Sequence, residues 1–200
     1  MSGISSSSGL ARIHAIVMAA GLSRRAGFQK LLAEVDGQAM YLYILDRLEA
    51  LGFKSRVVVS NLVPLCEAAR SRGFQVLANP DAERGKSTTI RRGLEAIAEH
   101  LDPGDGIAFF VCDQPYMSEE TILRMAETFD LHPEAIVYPV YGVEARRGNP
   151  MVFPARLFDE LMALEGDEGG IVLIPKHSHL EFEVADLREA RDFDLASDFD

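Results

Sequence analysis

Short apolar runs alternate with amphipathic segments along most of this 200-residue chain. Residues 14–20, 56–60 and 107–112 are runs of strand length dominated by apolar side chains. Residues 38–51 and 87–100 carry apolar side chains at helical spacing. This alternation predicts an α/β fold, with one mostly parallel sheet and helices on both of its faces. Ligands of such sheets bind outside the carboxyl ends of the strands, so we expect the site in the loops after the first and last of these runs.

The length suits a single domain, which we place at residues 13–200 after a flexible Ser- and Gly-rich leader at residues 1–12. A chain of this size can bury a core without disulfides, and we interpret Cys66 and Cys112 as buried hydrophobes. No apolar run approaches the roughly 20 residues that span a bilayer, and the leader lacks the regions of a signal peptide. We therefore expect a cytoplasmic protein.

The charge balance argues against nucleic acid and membranes as partners. The chain holds 20 Lys and Arg against 31 Asp and Glu, a net charge of −11, whereas nucleic acids and anionic lipid surfaces need a basic face. The excess of acidic side chains is concentrated near the end of the sequence: residues 161–200 hold 3 basic and 11 acidic side chains. The remainder is closer to neutral, which leaves room for a small anion that carries a metal ion.

The loop after the first apolar run combines glycines, a hydroxyl and three cations. Residues 19–31 read AAGLSRRAGFQKL. Glycine lets backbone N–H groups turn toward an anion, and Arg24, Arg25 and Lys30 supply the charge that a polyphosphate needs. A solvated basic turn is the alternative interpretation. The loop lacks the G-x-G-x-x-G spacing of dinucleotide-binding folds.

Seven motifs follow one another along the chain. They are AAGLSRRAGFQK at 19–30, Asp36-Gly37, Asn79-Pro80 with 85–94, Cys112-Asp113-Gln114-Pro115, Arg147-Gly148-Asn149-Pro150, 166–170 and Asp192-Phe193-Asp194. In this order they resemble the signature of the molybdenum cofactor nucleotidyltransferases, over roughly residues 13–198. The resemblance implies a Rossmann-like nucleotidyltransferase fold.

Two of these motifs bear on the nucleotide. A-A-G and D-Q-P resemble the branch of that family that uses CTP, whereas the branch that uses GTP more often shows G-G and D-M-P. The resemblance therefore implies transfer of CMP from CTP to the terminal phosphate of molybdenum-bearing molybdopterin, with release of pyrophosphate. It implies Mg²⁺ as the cofactor, and it allows a molybdenum enzyme that receives the product as a further partner.

The chemistry of the reaction favours carboxylates as metal ligands. Nucleotidyl transfer joins two anions, so charge neutralisation and positioning dominate its barrier. Mg²⁺ takes oxygen ligands from one or two carboxylates plus phosphates. We expect Asp113, at the end of the most apolar run, to be one ligand and Asp194 the other, with Asp192 as the nearest substitute. A capping role for Asp113 and a solvated acidic tail are the alternatives.

The other site residues divide by the part of the substrate they would touch. Lys30 would hold the α-phosphate and Arg25 the β- and γ-phosphates, so the catalytic set is Arg25, Lys30 and Asp113. An ionised acceptor phosphate needs no general base. A helix N-terminus capped by Ser87 is an alternative for part of the nucleotide site. Besides Arg25 and Lys30, the expected nucleotide contacts are Ala19, Ala20, Gly21, Ser23, Asn79, Gly85 and Ser87.

The acceptor half departs from the family pattern more than the nucleotide half. Gln114 and Asn149 are the expected acceptor-binding residues. Asn149 stands where the family usually has histidine, and Ile171 where it usually has arginine.

Three alternative functions therefore stay open. The same chemistry could use GTP, or a phosphorylated acceptor such as a sugar phosphate. A glycosyltransferase could present Asp192-Phe193-Asp194 as a metal-binding D-x-D motif. A non-catalytic relative could bind the cofactor and escort it to a molybdenum enzyme.

Overall fold

The computed structural model describes residues 9–21, 28–194 and 198. The strands within these ranges are β1 (Ile13–Ala19), β2 (Glu34–Val35), β3 (Gln38–Ala39), β4 (Ser55–Ser60), β5 (Gln75–Leu77), β6 (Gly106–Val111), β7 (Ile136–Tyr141), β8 (Arg146–Arg147), β9 (Met151–Pro154) and β10 (His179–Val184). The helices are α1 (Met40–Ala50), α2 (Val63–Ser71), α3 (Lys86–Ile97), α4 (Glu119–Leu131) and α5 (Phe158–Met162). Short 3-10 turns include Leu10–Arg12, Lys30–Leu32, Ala82–Arg84 and Gly170–Lys176.

One mostly parallel sheet organises the domain, in the order β10-β7-β9-β6-β1-β4-β5. β1 runs parallel to both β4 and β6, and β10 runs parallel to β7. β9 is antiparallel to β6 and β7 on either side of it, and β8 pairs with β7. The predicted α/β fold is confirmed, with β9 as an antiparallel strand inside a largely parallel sheet.

Helices cover both faces of this sheet because the central strands are apolar on both sides. Along β1, Ala15 and Val17 pack in one buried cluster with α1, α2 and α4, whereas Ile16 packs in a second cluster with α3 and α5. Gly93 lets α3 approach closely, since a Cβ there would lie 2.4 Å from Cγ2 of Ile16. Buried parallel strands of this kind read as continuous apolar runs, which is the pattern that the sequence shows.

Several element boundaries differ from the sequence prediction, and two of these differences change the assigned structure. The helix expected from residue 38 begins at Met40, because Gln38 and Ala39 pair with β2 in a small hairpin. Residues 10–12, assigned to the leader, form a 3-10 turn in which Leu10 is buried, and Nε of Arg12 donates to Gly104 O at 2.9 Å. Residues 1–8 lie outside the described residues. Within the described ranges, no helix combines the length and apolarity that crossing a bilayer requires.

A buried polar network closes the amino-terminal end of the central strands. The fully buried His14 ring places Nδ1 2.7 Å from Oγ of Ser55 and Nε2 3.1 Å from Oδ2 of Asp105. Nζ of Lys54 lies 2.6 Å from Asp105 Oδ2 and 2.5 Å from Asp102 Oδ2. Burial lowers the pKa of His14 and outweighs the opposing effect of Asp105. The neutral ring is therefore favoured, accepting from Ser55 and donating to Asp105.

Candidate active site

A cleft of about 620 Å³ opens at the carboxyl ends of the central strands. Ala19, Ala20 and Gly21 at the end of β1 line it, as do Cys112 and Asp113 after β6. Parallel pairing of β1 with β6 brings these two strand ends to one edge of the sheet. The cleft therefore lies at the edge where the strand–helix alternation predicts ligand binding.

Three residues selected from the sequence converge in this cleft. Nζ of Lys30 lies 2.8 Å from Oδ2 of Asp113 and 2.6 Å from Oδ1 of Asp194. The Lys30 side chain is only 13% exposed. Burial alone would lower the pKa of Lys30, but the two carboxylates outweigh burial and raise it. The group is therefore a charged ammonium held between two anions.

Buried neighbours hold these charged side chains in place. Lys30 opens the 3-10 turn that seats Leu31 in the core. Phe193 is buried in the same core and donates its N–H to Asp113 O at 3.0 Å. Its ring lies 5.8 Å from that of Tyr116 in an edge-to-face contact. This anchor brings the segment that carries Asp194 to the end of β6.

Asp113 and Asp194 fit a divalent cation. Both carboxylates already contact one cationic nitrogen, so their oxygens reach a common position. In the described part of the chain, no three His, Cys, Asp or Glu side chains gather at one metal position. Mg²⁺ is commonly held by one or two carboxylates and completed by phosphates and water, which suits this pair.

Asp192 also lines the cleft, but protein groups engage it. Oδ1 accepts from Nε2 of Gln114 at 2.7 Å, and Oδ2 lies 3.4 Å from Nη2 of Arg146. Burial raises the pKa of Asp192, although the hydrogen bond from Gln114 opposes the shift. Asp194, which lies with Asp113 against Nζ of Lys30, stays the predicted second metal ligand.

Gly85 fixes the opposite wall of the cleft. Its φ of 112° favours glycine, and a Cβ there would lie 2.3 Å from the carbonyl oxygen of Gly166. That oxygen accepts from the N–H of Ser87 at 3.0 Å, and Asp167 Oδ1 accepts from the N–H of Lys86 at 3.3 Å. The motif at residues 166–170 thus positions the start of α3, and Lys86 and Asp167 face the same cleft.

Asn79 and Ser87 are buried behind this wall rather than part of it. Asn79 donates its amide hydrogens to Oγ1 of Thr88 and Oγ1 of Thr89, both at 2.9 Å. The amide is thus occupied within the protein. The structure therefore indicates a positioning role for Asn79 in place of the predicted contact with base or ribose. Gly85, not Ser87, is the N-cap residue of α3.

The two predicted acceptor residues occupy different places. Asn149 lines the cleft, and its carbonyl oxygen accepts from the Tyr141 hydroxyl at 3.1 Å. Gln114 is buried and holds Asp192 through Nε2, while its Oε1 is buried with no hydrogen-bond partner among the described residues. Gln114 is therefore placed to orient Asp192 rather than to touch a substrate.

The described wall of the cleft is predominantly acidic. Ser23 and Arg25, which we expected in the site, lie outside the described residues, as does Arg24. A polyphosphate that enters this part of the cleft meets more negative than positive charge, so a divalent cation would favour its binding. The charged lining groups in the described ranges are Glu83, Asp113, Asp167, Asp192 and Asp194 against Lys30 and Lys86.

The sequence as a whole matches a known family and two curated relatives. The family of MobA-like NTP transferase domains matches residues 15–180. A molybdenum cofactor guanylyltransferase from Syntrophotalea carbinolica is 29% identical over 128 residues, which cover 64% of this chain and 57% of that protein. A probable molybdenum cofactor guanylyltransferase from Pyrococcus horikoshii is 35% identical over 68 residues, covering 34% of this chain and 35% of that protein. The matched regions thus span little more than half of the first relative and about a third of the second.

The fold matches a solved structure along nearly its full length. Rv0371c from Mycobacterium tuberculosis superposes with a TM-score of 0.75 at 26% identity, covering 94% of this chain and 96% of that chain. A structure of the same protein in complex with manganese superposes with a TM-score of 0.68 at 24% identity, covering 88% and 89%.

Proposed function

This chain belongs to the family of MobA-like NTP transferase domains, and from that premise we propose that it is a nucleotidyltransferase of molybdenum cofactor biosynthesis. It transfers CMP from CTP to the terminal phosphate of molybdenum-bearing molybdopterin. The observation that carries the proposal is the convergence of Lys30, Asp113 and Asp194 at the carboxyl ends of the strands. The names of both curated relatives support the cofactor pathway.

The reaction forms one bond and breaks another at the same phosphorus. An oxygen of the acceptor phosphate attacks the α-phosphorus of the nucleotide, and the bridging oxygen to the β-phosphate leaves with the electron pair as pyrophosphate. The acceptor phosphate is ionised at neutral pH, so no side chain has to remove a proton. In keeping with this, none of the described cleft residues is a histidine.

Different side chains of the site have different roles in this reaction. Asp113 and Asp194 hold a divalent ion, Mg²⁺ or Mn²⁺, and a bound ion of this kind neutralises phosphate charge. Lys30 supplies positive charge to the α-phosphate, where negative charge grows as the bond forms. Arg25 holds the β- and γ-phosphates, and Ser23 lines the nucleotide; these two assignments rest on the motif alone.

GTP is the second candidate for the nucleotide. The motifs A-A-G and D-Q-P support CTP, whereas both curated relatives are named guanylyltransferases. Asn79, the residue expected to read the base or ribose, donates its amide hydrogens within the protein. Groups other than the Asn79 amide would therefore select the base.

One assay separates these functions. The protein is incubated with Mg²⁺ and each triphosphate in turn, with and without molybdenum-loaded molybdopterin, and pyrophosphate release and product mass are followed. Pyrophosphate release that needs both CTP and the acceptor supports the proposal. Release that needs the acceptor and occurs with GTP but not with CTP selects the second candidate. Turnover only with a sugar phosphate, or nucleotide binding without turnover, would refute both.

A further inference from the structure

The ammonium of Lys30 occupies the position that the two proposed metal ligands share. It contacts one oxygen of Asp113 and one of Asp194 at 2.8 and 2.6 Å. Lys30 is also the least exposed of the three side chains, at 13% against 27% and 36%. A cation bound by both carboxylates at a ligand distance of about 2.1 Å competes for the position that Nζ holds.

We propose that Lys30 is a built-in counterion that makes metal and nucleotide bind together. The inference rests on the proposed function, because it takes a triphosphate as the ligand. Lys30 has to leave Asp113 and Asp194 before they can ligate a metal. Metal alone would leave the Lys30 ammonium, 13% exposed, without these partners. Nucleotide alone would meet a described wall on which acidic side chains outnumber basic ones.

A metal–triphosphate complex avoids both costs. It offers a cation to the two carboxylates and phosphate oxygens to the ammonium, so each charge keeps a partner of opposite sign. Each component therefore raises the affinity for the other by the same factor, which for coupled sites is commonly about 5- to 150-fold. The exchange replaces one set of ion pairs with another inside a single cleft.

The local structure suits a movement of the Lys30 side chain alone. Leu31 is buried in the core and the N–H of Ala33 donates to Lys30 O at 3.1 Å, so the backbone of the turn is anchored. The lysine stem has four carbons and rotates freely, unlike the planar fork of an arginine. Ala20 and Gly21 line the same cleft as Lys30, so phosphates bound along this backbone share the cleft with its ammonium.

The first test of the counterion role of Lys30 measures metal binding without nucleotide. Mn²⁺ alone is titrated into the full-length wild-type protein, Lys30→Met and Lys54→Met, and free Mn²⁺ is followed by electron paramagnetic resonance. We expect Lys30→Met to bind Mn²⁺ about tenfold more tightly than wild type. Lys54→Met is the matched control, since it also removes an ammonium from between two aspartates, and it should leave Mn²⁺ affinity unchanged. Equal affinity in wild type and Lys30→Met overturns the proposal.

Nucleotide affinity provides the second arm. The α,β-methylene analogues of CTP and GTP are titrated with and without Mg²⁺, and heat is measured. Wild type should bind the preferred analogue about tenfold more tightly with Mg²⁺, and this ratio of affinities should be smaller in Lys30→Met. Lys30→Gln serves as a second variant if the methionine variant unfolds at lower temperature. An unchanged Mg²⁺ dependence in both variants contradicts the proposal.

The two proposals fail separately in this design. The binding arms use no acceptor and measure no turnover. Lys30-dependent coupling without pyrophosphate release in the enzyme assay would refute the proposed function and leave the counterion intact. Turnover of CTP with no effect of Lys30 on Mn²⁺ affinity or on the Mg²⁺ dependence would refute only the counterion.

Discussion

Two lysines lie between pairs of aspartates at opposite ends of one sheet. Lys54 contacts Asp102 and Asp105 at 2.5 and 2.6 Å at the amino-terminal end. Lys30 contacts its two carboxylates at 2.8 and 2.6 Å at the carboxyl end. The ion-pair geometry is nearly the same, so ion pairing alone does not distinguish a functional site from a structural one.

What differs is the surroundings of the carboxylates. At the amino-terminal end, Asp105 is 6% exposed and also accepts from His14 and from the N–H of Asp102, whereas Asp102 itself is 76% exposed and does not line the cleft. Asp113 and Asp194 are 27% and 36% exposed, and both line the cleft. The closed set of partners around Asp105 stabilises the fold, whereas the cleft leaves Asp113 and Asp194 accessible to a ligand. Each of the following predictions tests this contrast.

The largest expected effect is loss of activity in Asp113→Asn. The amide keeps the shape but loses the charge that binds a divalent cation, so pyrophosphate release should fall about 100- to 1000-fold. The thermal unfolding midpoint should stay close to that of wild type, because Asp113 lies at an open end. Activity within a few-fold of wild type would contradict the metal assignment.

Exchanging each lysine for methionine should separate the two ends. Lys30→Met is expected to lower turnover about 100-fold while changing the free energy of unfolding little. Lys54→Met removes the ammonium from the buried Asp105 and leaves it only His14 and the N–H of Asp102 as donors. It should therefore cost about 1–3 kcal/mol of unfolding free energy and leave turnover unchanged. Turnover and urea denaturation of both variants are the measurements. A reversed pattern would contradict the contrast.

Lowering the pH should destabilise the protein through His14, at the amino-terminal end of the central strands. Its pKa is lowered in the folded protein from the ordinary 6.5, so the unfolded chain binds this proton first. The free energy of unfolding should therefore fall as pH drops below about 6.5, by at most about 1.4 kcal/mol per pH unit from this group. Urea denaturation between pH 7.5 and 5.5 measures the slope, and His14→Asn should reduce it.

Asp105 contributes in a lower window. Hydrogen bonds from Lys54 and His14 outweigh burial and lower its pKa from 3.8, so its stabilisation is present above that value and is lost as pH falls through the folded pKa. The two groups can thus be separated by pH. A slope that is identical in wild type and His14→Asn between pH 7.5 and 5.5 would exclude His14 as its source.

The smallest expected effect concerns Gln114. Gln114→Leu removes the hydrogen bond to Asp192 while keeping similar bulk. If Asp192 faces the acceptor, the KM for the acceptor should rise about fivefold, as expected for one hydrogen bond, while nucleotide affinity stays unchanged. A change in nucleotide affinity with an unchanged acceptor KM would assign Asp192 to the nucleotide side instead.

Much of the arrangement of the site could be predicted from the sequence, because it depends on where buried parallel strands end. Apolar runs at residues 14–20 and 107–112 predict two buried strands of a parallel sheet, and ligands of such sheets bind at the edge where the strands end. The structure accordingly brings Lys30 and Asp113 together. Their catalytic roles stay predictions, since no bound ligand tests them.

Long-range contacts without a local signal could not be predicted. The Asn79 amide finds its partners only when α3 packs beside it, so a residue that resembled a ligand contact is a structural one. The approach of Gly85 to Gly166 depends on the folded path of two distant loops. The buried Phe193, which anchors its flanking aspartates, resembles an ordinary residue of an acidic tail in the sequence.

The anchor at Phe193 also sets an order of assembly. The site combines Lys30, next to the first strand, with Asp194, 164 residues later along the chain. The ribosome synthesises the chain from its amino terminus. A nascent chain that has been synthesised as far as β10 contains the strands of the described sheet, but only Asp113 of the two carboxylates. The charge arrangement of the cleft is therefore completed only after synthesis of the strands that support it.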